Sequence, residues 1–223
     1  MTITVADMEL HDLLDVPAAT SSAIANLRER AGELLAVMEP RVVLSDGSRG
    51  YRARAQTTVS ISPVIDGQVA EVRESITLEC SQSEICVHDP VLTLDGALRI
   101  DLEVLTYIAD GESKLLGDQP VRFKVGRYAD SALAPTYGRL EIPLATDFGS
   151  VPVQSTQLVN FIAETPIGKM RNSEPVVMRA MVTKIPPVGI AYVQEGAVKM
   201  FGEDGVCAYV KDTTTSMLVE LLD

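Results

Sequence analysis

Tryptophan is missing from this sequence, and aromatic residues together make up only 4% of its 223 positions. Flat stacking platforms are therefore scarce. That argues against single-stranded nucleic-acid binding, where bases stack on aromatic side chains, and against a sugar-binding sandwich built on exposed rings. Positive charge is scarce too: 19 Lys and Arg stand against 31 Asp and Glu, for a net charge of −12. Such a surface repels phosphate backbones and anionic lipid, so neither nucleic acid nor a membrane is an expected partner. Histidine occurs twice, and the three cysteines, Cys80, Cys86 and Cys207, are odd in number with no Cys-x-x-Cys pair. That fits buried thiols in a reducing compartment better than a disulfide framework. No apolar run of about 18 residues exists, and the N-terminus carries Asp7 and Glu9 where a signal peptide would be basic. The expected location is cytoplasmic. There is also no P-loop, dinucleotide fingerprint or nucleophile elbow, and no cofactor or metal is called for.

What is present is turn chemistry between alternating runs. Asp-Gly occurs at 46–47, 66–67, 95–96, 110–111 and 204–205. Type I′ hairpin turns need positive φ at both central residues, which Gly accepts freely and Asp tolerates. Tyr51, Ala53, Ala55, Thr57, Val59 and Ile61 share one face of a strand; Arg52, Arg54, Gln56, Thr58 and Ser60 share the other. Ala70, Val72, Ile76, Leu78 and Cys80 form the inner face of its hairpin partner. Leu98, Ile100, Leu102 and Val104 continue the pattern until the phase slips at Val104–Leu105, where a β-bulge restores it. Residues 126–138 read as a connecting loop, and residues 158–162 fit a helical turn as well as a strand. Short strands follow around 190–193, 198–201 and 206–210. The expectation is a mainly β chain, an antiparallel β-sandwich or open barrel. Residues 41–223 form one domain of about ten to twelve strands.

The first 40 residues have a different period. Ile24, Leu27, Ala31, Leu34, Leu35 and Met38 make one apolar stripe on a helix that Pro40 ends. Too short to be stable alone, this helix must pack on the β domain, on a second copy of the chain or on another protein. A homo-oligomer or a protein partner held through it is expected.

Few residues offer chemistry. Glu74 falls on the face of Ile76 and Leu78, where a carboxylate facing a cavity would have a raised pKa and act as a general acid or base. His88 stands two residues from Cys86, near enough to serve as base to a thiol nucleophile. Glu74 and His88 are thus the candidate catalytic residues. Glu84, Cys86 and His88 also alternate on one strand face and are ligand types for zinc, but one strand spaces them about 7 Å apart and no second cluster completes the set. Tyr107, Tyr128, Tyr137, Tyr192 and Tyr209 offer hydroxyls to orient a substrate, and Met170, Met178, Met181 and Met200 suit an adaptable apolar pocket.

Three functional readings from different classes follow. The first is a non-enzymatic β protein that binds a partner or assembles with itself. The second is a cofactor-independent isomerase or cyclase, or a carrier, holding a small apolar molecule in a β-lined cavity. A metal-dependent site at Glu84, Cys86 and His88 is a third.

Overall fold

The computed structural model describes residues 42–221 other than 94 and 147, together with 3–4 and the single positions 25, 29, 32 and 33. Its strands are β1 (Ile3–Thr4), β2 (Val42–Val43), β3 (Arg49–Ile65), β4 (Gln68–Val69), β5 (Glu74–Val87), β6 (Val91–Leu92), β7 (Ala97–Ser113) and β8 (Gln119–Val125). They continue with β9 (Thr136–Pro143), β10 (Val153–Val159), β11 (Phe161–Thr165), β12 (Gly168–Asn172), β13 (Val176–Val182), β14 (Ala191–Glu195), β15 (Val198–Gly202) and β16 (Gly205–Leu221). The expected helix across residues 22–38 lies outside the described residues except at Ala25, Glu29, Gly32 and Glu33.

Antiparallel pairing runs β3-β5-β7-β9-β10-β13-β14-β16, and β16 pairs back onto β3. A second path leaves β7 for β8, β11, β12 and β15 before reaching the same β16. The two paths are the two ends of one barrel. Four long strands, β3, β5, β7 and β16, span its height. On the far side each stave is built from two consecutive strands: β8 with β9, β10 with β11, β12 with β13, and β14 with β15. Thus β7 meets β8 from Tyr107 onward and β9 up to Val104. Each stave neighbours the next in sequence, the meander that closes a sheet on itself and leaves no ring edge unpaired. The expected antiparallel β architecture holds, and the β16–β3 pairing makes it a closed barrel.

Alternation decides which side chains enter. Val59, Leu78, Leu98, Ile100, Leu140, Ile142 and Met200 are almost wholly buried, and each such side chain contributes roughly 1.5–3 kcal/mol of burial. Outward positions carry charge. Arg122 pairs Asp110 at 2.6 Å, Arg139 pairs Asp101 at 2.8 Å and Lys124 pairs Glu164 at 2.9 Å. Ion pairs this exposed are screened by solvent and add little to stability. An apolar interior under a charged exterior is the reverse of a barrel whose outer band faces lipid.

Bulges adjust the phase. Register shifts between Glu84 and Ile85 opposite Val104 and Thr106, so Leu105 is the extra residue, as the sequence pattern indicates. Leu105 turns outward under Leu44 and Cys86, in a small cluster separate from the main core. A second bulge lies in β16 between Lys211 and Thr214, at Asp212 with φ 51°. It moves the inward positions from Ala208 and Val210 to Thr213, Thr215 and Met217.

Several local expectations need correction. Asp110–Gly111 is no turn but lies inside β7 opposite Arg122 and Val121. There Gly111 is needed because a Cβ would stand 2.4 Å from the Thr77 carbonyl oxygen. The chain reverses instead at 114–118, where Gly117 and Asp118 have positive φ. Ala70 and Val72 precede β5, and Val72 is exposed. Residues 158–162 are strand, broken only at Asn160. The short strand expected around 206–210 is instead part of the 17-residue strand β16, which runs on through Thr213 and Thr215.

Candidate functional site

Midway up the barrel, where the split staves meet, the inward side chains do not fill the space. A cavity of ≈ 90 Å³ remains. Small residues on the split staves leave it open: Val159 and Val176 face one another across β10 and β13, beside Val125 on β8. Phe123 and Phe161 form one wall, their rings 5.2 Å apart and inclined by 24°. Val59, Leu78, Val104 and Met178 extend the apolar lining. No lining residue carries a charge.

The opposite wall is polar. Thr57 Oγ1 lies 2.6 Å from the Tyr107 hydroxyl and 2.8 Å from Thr215 Oγ1. Thr213, one alternation along the same face of β16, also lines the cavity. Its Oγ1 is buried without a hydrogen-bond partner, alone in this among the described lining residues. Thr136 is different: its hydroxyl accepts from Asn160 N–H at 3.0 Å and donates to Asn160 C=O, holding the break between β10 and β11. Gln194 fixes the β16 bulge, its amide donating to Val210 C=O at 3.0 Å and its carbonyl accepting from Thr213 N–H at 3.2 Å.

Gln157 separates this cavity from a second void of ≈ 20 Å³ toward the β16 C-terminal end. There Tyr192 donates to Ser155 Oγ at 2.9 Å. Lys184 borders that void from an exposed position.

Burial pushes the phenol of Tyr107 well above its ordinary value, and that of Tyr192 in the same direction. An unfolded phenol ionises near pH 10. Stability from these groups is therefore intact below about pH 10 and falls as the pH rises further, because the unfolded chain releases protons that the barrel retains. Each tyrosine steepens the alkaline limb by up to about 1.4 kcal/mol per pH unit. Urea midpoints measured from pH 9 to 11.5 should fall less steeply in Tyr107→Phe; identical slopes would show that the phenol is not protected.

Glu74 is buried, as its parity indicates, but its oxygens face the β7–β8 turn. They accept from Ser113 Oγ at 2.6 Å, from the Lys114 N–H and from the Leu115 N–H at 3.4 Å. It is not among the cavity-lining residues. Glu74→Ala should cost about 2–4 kcal/mol, the scale of losing hydrogen bonds to a charged acceptor. Glu74→Gln, which keeps one acceptor, should cost less. Urea unfolding measures both; a full-stability Glu74→Ala would show that the turn does not need the carboxylate.

His88 stands past the opposite end of β5, half-exposed, with Nε2 3.9 Å from Glu103 Oε2. The 14-residue strand between them keeps Glu74 and His88 at opposite ends of the barrel. Glu84, Cys86 and His88 do alternate on the outer face, each with its own surroundings. Glu84 accepts from Arg52 Nε at 3.0 Å and from Ser45 through both backbone and hydroxyl; Cys86 packs under Leu44. Among the described residues, no group of three or more His, Cys, Asp or Glu is arranged to hold a metal ion. Of the tyrosines, Tyr107 and Tyr192 face the interior while Tyr128 and Tyr137 are exposed; of the methionines, Met178 lines the cavity and Met181 is exposed.

The sequence matches no protein-family model, and no curated protein matches it. A solved structure does share the fold. It is DynF from the dynemicin biosynthesis pathway of Micromonospora chersina, with a TM-score of 0.60 and 13% identity, covering 81% of this chain and 85% of that one. At that identity the likeness is one of fold. No helix among the described residues is long and apolar enough to cross a membrane.

Of the residues that make the cavity polar, the sequence points to Tyr107 as a hydroxyl donor but not to Thr57, Thr213 or Thr215. Thr57 carried a usable signal, a hydroxyl on an apolar face between Ala55 and Val59. Thr213 and Thr215 carried none, since only the bulge at Asp212 brings them inside.

Proposed function

We propose that this chain binds a small, mainly apolar molecule inside the barrel. The observation that carries the reading is the mid-barrel cavity, with an aromatic and aliphatic wall facing a cluster of threonine and tyrosine hydroxyls. Apolar lining with a few convergent polar groups is the usual make-up of a small-molecule site. The fold it shares with DynF, a protein of a biosynthesis pathway, supports the same setting. Binding is favoured over acid–base catalysis because the titratable group among the lining residues, the Tyr107 phenol, is held protonated by burial. Positioning and shielding are what such a cavity supplies, which suits a carrier or an enzyme that works by holding its substrate in one conformation.

Native mass spectrometry of protein purified from its own cells, followed by organic extraction, tests this directly. The expected result is a co-purifying uncharged organic molecule released on denaturation. A ligand-free spectrum, together with no binding in a screen of small aromatic and aliphatic compounds, would remove the reading.

A further inference from the structure

We propose that the molecule held in the barrel is uncharged and presents a carbonyl oxygen to Thr213 and Thr215. This rests on the small-molecule reading above and names its ligand class.

The cavity lining contains no Lys, Arg, His, Asp or Glu. A carboxylate or ammonium taken there would lose its hydration with no counter-ion, which is prohibitive beside the alternative of staying in water. Lys184 is the charged neighbour of the smaller void, but it is exposed and lies beyond Gln157.

Tyr107, Thr57 and Thr215 form a row of three hydroxyls joined by two hydrogen bonds. Each hydroxyl owns one proton. Two are used within the row, so one O–H is left over whichever way the row is oriented. Thr213 adds a second unused O–H. Buried donors without acceptors are costly, so the wall has two protons to offer a ligand. A carbonyl oxygen has two lone pairs and no proton, and accepts both with one atom.

Thr213 and Thr215 are alternate residues on one strand face, about 6.6 Å apart along β16. Two O–H···O bonds of about 3 Å span about 6 Å, so one oxygen accepts from both once the two side chains lean toward each other. With the row oriented Tyr107→Thr57→Thr215, the free proton belongs to Thr215. The rest of the ligand then lies toward Phe123 and Phe161 on the far wall.

Three probes of similar size separate the possibilities: acetophenone, ethylbenzene and benzoate, titrated at pH 7 with methyl NMR shifts as readout. Acetophenone should bind about fivefold more tightly than ethylbenzene, the ratio one net hydrogen bond is worth. Benzoate should bind at least about a hundredfold more weakly than acetophenone, as expected for an unpaired buried charge. Thr213→Val, which keeps the β-branched shape, should lower the preference for acetophenone over ethylbenzene, and Thr213→Val combined with Thr215→Val should remove it. Equal binding of the two neutral probes by the unmodified protein would overturn the carbonyl assignment. Benzoate binding as tightly as acetophenone would overturn the charge assignment, and its loss in Lys184→Met would move the polar end to the other void. Failure of both neutral probes to bind would instead remove the small-molecule reading itself.

Discussion

Val176→Phe should abolish ligand binding and leave the barrel as stable as before. Val176 is buried on β13, opposite Val159, with its side chain on the cavity wall. Phenylalanine adds four carbon atoms beyond those of valine, directed into a void of ≈ 90 Å³. In a close-packed core such growth costs about 1–3 kcal/mol. Here the added ring occupies empty space and makes contacts the cavity lining lacks. Burial of roughly 0.8 kcal/mol per carbon offsets residual strain, so the urea midpoint should move by no more than about 1 kcal/mol equivalent. Binding of a neutral aromatic probe should fall at least about a hundredfold, since the ring and the probe compete for one volume.

Leu78→Ala is the complementary change. Leu78 is fully buried and lines the same cavity. Its loss enlarges the void and should cost about 2–5 kcal/mol, while binding of a bulkier neutral probe is kept or improved. Stability and affinity thus move in opposite directions across the pair, which general damage to the fold would not produce. Val176→Phe that binds the probe as well as the unmodified protein would place the ligand elsewhere.

These side chains show where the sequence is legible. The inner face from Tyr51 to Val59, and the slip at Val104–Leu105, follow from period-two alternation, and β3 and β7 obey it. The turn at Asp66–Gly67 has positive φ at both residues, as its chemistry implies. Closure of the ring is another matter. It depends on β16 pairing with β3 across 150 or so residues, and alternation says nothing about which strand lies next to which. The same limit hid the site. A β-bulge reverses which residues point inward, and the one at Asp212 turns Thr213 and Thr215 from a polar-looking run into cavity wall. Glu74 shows the same limit from the other side. Its parity marks it as buried, and it is, but its partners are the Ser113 hydroxyl and two N–H groups of a turn about 40 residues away in sequence, and alternation within β5 holds no trace of them.

Gly126→Ala should be among the most damaging single substitutions in the barrel, because it strikes the joint on which the split staves depend. Gly126 follows the last residue of β8 and begins the excursion to β9. Its φ is +90°, a conformation that L side chains rarely adopt. A Cβ there would stand 2.4 Å from the Leu105 carbonyl oxygen and 2.5 Å from that of Val104. Both oxygens belong to the backbone of the β7 bulge, so no rotamer change relieves the contact. The loop is tied to the same place: Tyr128 N–H donates to Leu105 C=O at 3.0 Å, and Asp130 and Ala129 N–H donate to Gly126 C=O. Either β8 moves off β7 or the bulge is displaced, and Leu105 is then pulled from its contact with Leu44 and Cys86. Backbone strain of about 1–3 kcal/mol combines with an overpacking cost of similar size, for a loss of about 3 kcal/mol or more. For a chain of this length that corresponds to a fall in Tm of roughly 6–12 °C. Gly117→Ala, at another positive-φ turn with open space around it, isolates the contribution of φ and should lose far less. Calorimetric melting of both variants decides the matter; equal losses would mean that the close approach of β8 to the β7 bulge carries no weight.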